Sequence, residues 1–207
     1  ITENLMGIKR AKGSYQKAKK PILINDLKLI VNAIDKDKNE KNKFKNRALI
    51  LVGFAGGFRR SELVAILYED VDFVPEGVKI FVKRSKTDQS GEGMTKGIPY
   101  FSNPNYCPVI SLKNWIEKSE IKSGKIFDMS DKNVALTIKK YTAIVGLDSN
   151  KYSGHSLRSG FATSTAELGA EERSIMAMTG HKTTQMVRRY IQEANLFKNN
   201  ALNKIKI

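Results

Sequence analysis

The sequence predicts a mainly α (α+β) domain in which a small antiparallel three-stranded sheet packs on a helical core. Two observations carry that expectation. Apolar residues recur at helical spacing in one segment after another from Ile24 onward. Period-two alternation is confined to VKIFVKR at 78–84, followed by a polar turn and a second short β-like stretch.

In chain order, INDLKLIVNAI places Ile24, Leu27, Ile30, Val31 and Ile34 on one helical face, with Asn25 expected as the N-cap. The charged run Lys36–Lys45 then separates it from a second apolar helix, ALILVGFAGGF, which breaks at Gly56–Gly57. A third helix is expected from about Arg60 through SELVAIL. VKIFVKR sets Val78, Ile80 and Val82 against Lys79, Phe81 and Lys83, the pattern of a half-buried strand. The turn SKTDQSGEGMTK leads to a partner strand around GIPYF, which completes a hairpin. Helical patterns cover 109–120, 131–145, 156–168, 171–179 and 183–192, and a short final segment is expected near 195–205.

The 207 residues are enough for one sizeable core, and 41% hydrophobic with 28% charged is ordinary for a globular protein. The lone cysteine, Cys107, can form no internal disulfide, which fits a reducing compartment. No apolar run approaches the roughly 20 residues of a membrane-spanning helix, and ITENLMGIKR lacks a secretory signal's apolar stretch, so neither a membrane nor secretion is expected. A first residue of Ile rather than Met fits a fragment of something longer. Charge points further: 36 Lys and Arg against 21 Asp and Glu give a formal net charge of +15. Such an excess suits a polyanionic partner, because each neutralised phosphate releases a counterion. Lys9, Arg10, Lys12, Lys17, Lys19 and Lys20 crowd residues 1–20, which read as a basic interdomain arm ending at Pro21, with 21–207 as the packed domain. The arm is either a solvated linker or a strap along a DNA backbone.

Three segments hold the residues suited to chemistry: AGGFRRSEL at 55–63, HSLRSG at 155–160 and TGHKTTQMVRRY at 179–190. His155 and Arg158 stand three apart at a helix start and so share a face. Tyr190 lies nine residues beyond His181, about two and a half helical turns. Taken singly these are weak signals: an HxxR is commonly surface decoration, and a helical tyrosine commonly packs. Two histidines and one cysteine give no metal-site spacing, GFAGGF is neither a phosphate-binding P-loop nor a dinucleotide fingerprint, and no G-x-S-x-G elbow occurs.

The order of these pieces resembles the tyrosine recombinases of the phage-integrase family. That order is an arginine at a Gly-rich helix start, a hairpin lysine, HxxR, Gly-His, then Tyr. The resemblance spans about 21–207; its three anchor segments are specific, and 87–150 matches in outline. It implies that Arg59 is the first catalytic arginine and Glu62 its supporting acid. RSKTD resembles the family's Cre-type lysine turn, which implies Lys86. The second box implies roles for His155, Arg158, His181 and the nucleophile Tyr190. Arg60 is the alternative to Arg59, Tyr141 and Tyr152 are the rival tyrosines, and Lys79, Lys83 and Lys96 are the nearby alternatives to Lys86, since a hairpin lysine commonly just faces water. Arg188 and Arg189 read as DNA-backbone or surface charges.

The chemistry fits those residue types. Attack at phosphorus builds negative charge on non-bridging oxygens, which two guanidiniums meet with forked hydrogen bonds. That is stabilisation a metal supplies in other nucleases. A phenol with reference pKa of about 10 needs a base, and an imidazole such as His155 is suited to it. Lys86 would protonate the departing 5′ oxygen, and His181 would complete the phosphate cradle as a donor. The resemblance therefore implies cleavage and religation of double-stranded DNA at a specific site through a 3′-phosphotyrosyl link, with no cofactor, metal or ATP. It also implies four protomers on two duplexes, joined by the C-terminal segment 196–207 through Leu196, Phe197, Leu202 and Ile205. The alternative there is a tail folded back on its own domain. A cytoplasmic, nucleoid-associated setting follows, for a bacterial or phage-encoded protein. The family usually adds an N-terminal helical domain that clamps the other DNA face, and residues 1–20 would connect to it. A type IB topoisomerase and a non-catalytic DNA-binding module of the same fold are the rival functions.

Overall fold

A computed structural model describes residues 19–83, 92–181, 183–197 and 201–205. The fold is mainly α, with one three-stranded antiparallel sheet in the order β1-β2-β3. Helix α1 (Ile24–Ile34) buries Leu27, Ile30, Val31 and Ile34, the face its spacing predicts. Its N-cap is Leu23, with no side-chain cap, so the expectation for Asn25 is corrected. Ile22, wholly buried, anchors the entry instead, and its N–H donates to Ser156 O at 2.9 Å. Helix α2 (Glu40–Ala55) starts well before the apolar run, because Asn39 caps it by accepting from Asn42 N. The run from Ala48 to Ala55 is buried throughout, which makes α2 the central element, against which α1 and the later helices at Pro108–Ser119 and His155–Glu167 pack. Each such buried Leu, Ile or Val contributes about 1.5–3 kcal/mol.

After α2, the short helix α3 (Arg60–Ala65) leads to β1 (Val71–Val74), β2 (Gly77–Val82) and β3 (Met94–Pro99). The register sets Val78 opposite Ile98 and Ile80 opposite Lys96, so β3 begins three residues earlier than GIPYF suggests. Val78, Ile80 and Val82 point into the core as their alternation predicts. Helices α4 (Pro108–Ser119), α5 (Asp131–Ile144), α6 (His155–Glu167), α7 (Glu172–Thr179) and α8 (Thr184–Asn195) follow, with a 3₁₀ turn at Ala201–Lys204. Cys107 is buried and free. Among the described residues, no helix is long and apolar enough to cross a membrane.

Candidate active site

The turn between α2 and α3 carries the first arginine. Gly57 adopts a φ of +54°, a left-handed conformation that a side chain disfavours. Arg59 then stands at the N-cap of α3. Glu62, in the first turn of α3, reaches back: its Oε2 accepts from Arg59 N at 2.9 Å and its Oε1 from Arg59 Nη1 at 2.5 Å. Glu62 is buried, so Arg59 is aimed by a fixed carboxylate. Arg60 points elsewhere, 3.7 Å from Asp131 on the surface.

Helix α6 delivers two residues from one face. Arg158 is almost fully buried, and its Nη1 donates to Gly57 O at 2.8 Å. Its Nη2 is buried with no hydrogen-bond partner among the described residues, an arrangement that invites an acceptor. Burial, together with Arg59, pushes the Arg158 pKa down to about 10, which leaves it cationic at neutral pH. One turn earlier, His155 Nε2 lies 3.2 Å from the Tyr190 hydroxyl of α8. Desolvation by the cleft walls, then the charges of Arg158, Arg59 and Arg60, lower the His155 pKa. The imidazole is thus neutral at neutral pH and able to accept the phenol's proton.

His181 follows Gly180, the left-handed residue that ends α7. Its ring is buried and stands 6.1 Å, centroid to centroid, from the Tyr190 ring. Its Nδ1 lies 2.8 Å from Thr179 Oγ1. That hydroxyl has a single proton, which goes to Ile175 O at 2.6 Å. Thr179 must therefore accept from His181 Nδ1–H, and in the neutral ring Nε2 keeps its lone pair. Burial and the surrounding cations push the His181 pKa down to about 4. A neutral His181 is thus an acceptor at Nε2 and becomes a donor there only when a nearby anion offsets those cations and the ring takes a proton from solvent.

His155, His181 and Tyr190 line a cleft of about 500 Å³ together with Lys19, Lys20, Gln185 and Arg189. Of the expected arm residues, Lys19 also donates to Asn150 O at 2.6 Å, while Lys9, Arg10, Lys12 and Lys17 lie outside the described residues. Lys86 lies outside them too. Arg188 stands 3.4 Å from Glu172 of α7. The rival tyrosines sit elsewhere: Tyr141 OH donates to Asp37 and Tyr152 OH to Asp26. Of the lysines named as alternatives to Lys86, Lys79 is exposed, Lys83 pairs with Asp70 at 2.9 Å and Lys96 is buried. Thr179 is a polar residue of the site that the sequence reading passed over, and Lys96 is one that it named only as a neighbour of Lys86.

Residues 22–196 match the model of the phage integrase family. The chain belongs to that family. Similar to it is the "Integrase/recombinase xerD homolog" of Selenomonas ruminantium, 45% identical across 97% of this chain and 62% of that protein. Among solved structures, the XerH site-specific recombinase bound to difH substrate matches with a TM-score of 0.70 at 18% identity, over 89% of this chain and 56% of that one. The XerA recombinase matches with a TM-score of 0.69 at 18% identity, over 94% and 68%. These two likenesses show the fold. The chain spans about three fifths of the length of the Selenomonas relative. In this phage integrase family member, the matched span holds Arg59, Glu62, Lys96, His155, Arg158, His181 and Tyr190.

Proposed function

We propose that this chain cleaves and rejoins double-stranded DNA at a specific site, as the catalytic part of a tyrosine site-specific recombinase. The observation that carries the reading is the Tyr190 hydroxyl, 3.2 Å from a neutral imidazole and in a cleft backed by the buried Arg158 guanidinium. His155 takes the phenolic proton as the Tyr190 oxygen attacks phosphorus. Arg158 Nη2 and Arg59 donate to the non-bridging oxygens as their charge grows. The P–O5′ bond breaks, Lys86 delivers a proton to the leaving oxygen, and a 3′-phosphotyrosyl ester remains. Reversal with another strand's 5′ hydroxyl reseals the DNA and returns the proton to Tyr190. The ester conserves the bond energy, so the cycle requires neither ATP nor a metal.

Lys19, Lys20 and Arg189, on the rim of the cleft, are suited to the flanking phosphates. Lys9, Arg10, Lys12 and Lys17 would extend that track, with Arg188 at its edge. The working unit is a tetramer on DNA, linked through segment 196–207. Leu196, Phe197, Leu202 and Ile205 are 61%, 80%, 67% and 59% exposed, so they are not buried against their own domain. An apolar cleft of about 600 Å³ lined by Leu27, Phe54, Phe101, Phe161, Leu168 and Met178 offers a second copy's segment a seat. The setting is the cytoplasm of a bacterial cell, where the DNA is.

The test is a trapping assay with the protein and nicked duplexes bearing its recombination site, run in EDTA. A denaturation-resistant protein–DNA adduct that disappears in Tyr190→Phe is the expected result. An adduct that persists in Tyr190→Phe would assign a different nucleophile. DNA binding without any adduct would favour a non-catalytic module, and relaxation of supercoils by a monomer would favour a topoisomerase.

A further inference from the structure

Strand β3 turns every second residue inward: Lys96 and Ile98 are buried, while Thr95, Gly97 and Pro99 are exposed. Lys96 thus holds a position that the sheet reserves for an apolar side chain, directly opposite Ile80. Its side chain is completely buried, a place lysine occupies only when its charge is matched. Nζ donates to Gly56 O at 2.8 Å, stands 3.9 Å from Glu62 Oε2, and lies 4.4 Å from the centroid of the Phe58 ring. Gly56 follows the last residue of α2, where helix carbonyls run out of partners. The next carbonyl, Gly57 O, is the one that accepts from Arg158. Two successive carbonyls of one turn are therefore gripped by cations from opposite sides, β3 and α6. Arg59 leaves that turn two residues later, and its partner Glu62 stands between it and Lys96.

We propose that Lys96 is a positioning residue for DNA cleavage: its buried ammonium pins the Gly56–Gly57 turn and steadies Glu62, so that it sets the aim and the charge of the arginine cradle without touching DNA. The proposal rests on the recombinase reading. A methionine would fill the same volume but leave Gly56 O without its donor and Glu62 to Arg59 alone. Arg59 would then be held harder by Glu62 and offered less freely to a phosphate.

Charge is the second half of the role. The groups facing Lys96 are Glu62 and Arg59 around the start of α3, Arg158 from α6 and His181 from the turn after α7, with the Phe58 ring closing the remaining side. Burial lowers the Lys96 pKa to about 7, Glu62 opposing and the two arginines adding to the fall. A phosphodiester bound nearby favours the protonated form, and the attacking transition state favours it more. Cleavage should therefore lose rate on the alkaline side as Lys96 discharges.

The experiment compares the unaltered protein with Lys96→Met, Lys96→Gln, Glu62→Gln and the Lys96→Met/Glu62→Gln pair in single-turnover cleavage of a nicked duplex from pH 6 to 9. Lys96→Met is expected to slow cleavage by about 10- to 100-fold while DNA affinity changes by less than about twofold. Its profile should lack the alkaline limb. Lys96→Gln, which keeps a neutral N–H donor one bond shorter, should regain part of the rate but not the limb. The paired variant should lose less than the product of the single losses, since both act through one contact. A reading independent of activity is the titration of the Lys96 side chain by ¹³C-lysine NMR in DNA-free protein, assigned with Lys96→Gln. A midpoint near neutrality, far below the other lysines, is expected. Wild-type cleavage with an unchanged pH profile in Lys96→Met overturns the proposal, and so does a Lys96 that titrates with the surface lysines. If the unaltered protein forms no adduct, the recombinase reading fails, and the titration still decides whether this ammonium is held as described. If Lys96→Met does not fold, Lys96→Gln and the titration carry the decision.

Discussion

Arg59, Glu62 and Arg158 stand beside the main hydrophobic core, which includes Ile50, Leu51, Phe58, Leu63 and Leu157, whereas Tyr190 packs on a far smaller one. That second cluster holds Ala162, Ala166, Ile175 and Val187, with Met176, Tyr190 and Ile191 packed against it. The half of the site suited to holding a phosphate is thus fixed by deep burial, and the half suited to attacking it is fixed by a handful of methyl groups. Local opening free energies follow such differences in buried apolar contact. A charged cradle gains from being pre-built, because donors already in place need no reorganisation during the reaction. A nucleophile that must attack, wait as an ester and be released gains from a lighter foundation.

The sharpest way to break that comparison is at the cradle. Arg158→Lys keeps a positive charge but cannot donate to Gly57 O and also fork onto a phosphate. Single-turnover cleavage should fall by about 10²–10³-fold with DNA affinity little changed. A loss under threefold would mean that the guanidinium is structural. Next comes the contrast in foundations. Leu51→Ala, in the main core, should cost about 2–5 kcal/mol by denaturant unfolding, and Val187→Ala, which removes less, about 1–2.5 kcal/mol. Hydrogen exchange should find the Val187→Ala effect concentrated in α7 and α8, with α2 amides unchanged. Equal acceleration in both would merge the two cores into one.

The smallest expected effect is a pH dependence. The fold holds His181 at about 4, below its ordinary value of 6.5, so it prefers the neutral ring. As pH falls from 6.5 toward 4 the unfolded chain takes up a proton that the folded one refuses, and stability declines across that window by on the order of 1–2 kcal/mol. Above 6.5 the neutral ring is present in both states and the slope vanishes. Comparison of the unaltered protein with His181→Gln in thermal melts at pH 4.5 and 7 isolates the term; equal shifts in both would remove His181 as its source.

What the sequence disclosed depended on how local the determinant was. His155 and Arg158 were readable as one face because helical spacing is a short-range property, and the apolar face of α1 was readable for the same reason. The start of α2 was not, since EKNKFKNR has little apolar periodicity and its cap, Asn39, declares itself only through a bond to Asn42 N. Strand β1 was hidden by its half-buried pattern, which lacks a clean alternation. The meeting of Arg59 with Arg158, across nearly half of the chain, has no local signal; only resemblance supplied it. Lys96 had a faint one: once β2 and β3 are in register, it falls on the face of Ile98, where lysine is out of place. The hydrogen-bonding state of His181 had none, because it depends on where Thr179 spends its single proton.

The lead-in chain has a mechanical consequence. Lys20 N–H donates to Lys151 O at 2.7 Å and Ile22 N–H to Ser156 O at 2.9 Å. A β-carbon on Gly160 would come within 2.0 Å of Ile22 O, so backbone rests directly on backbone with no cushioning side chain between them. A pull on the chain ahead of Lys19 therefore arrives, undamped, at the first turn of the helix that carries His155 and Arg158.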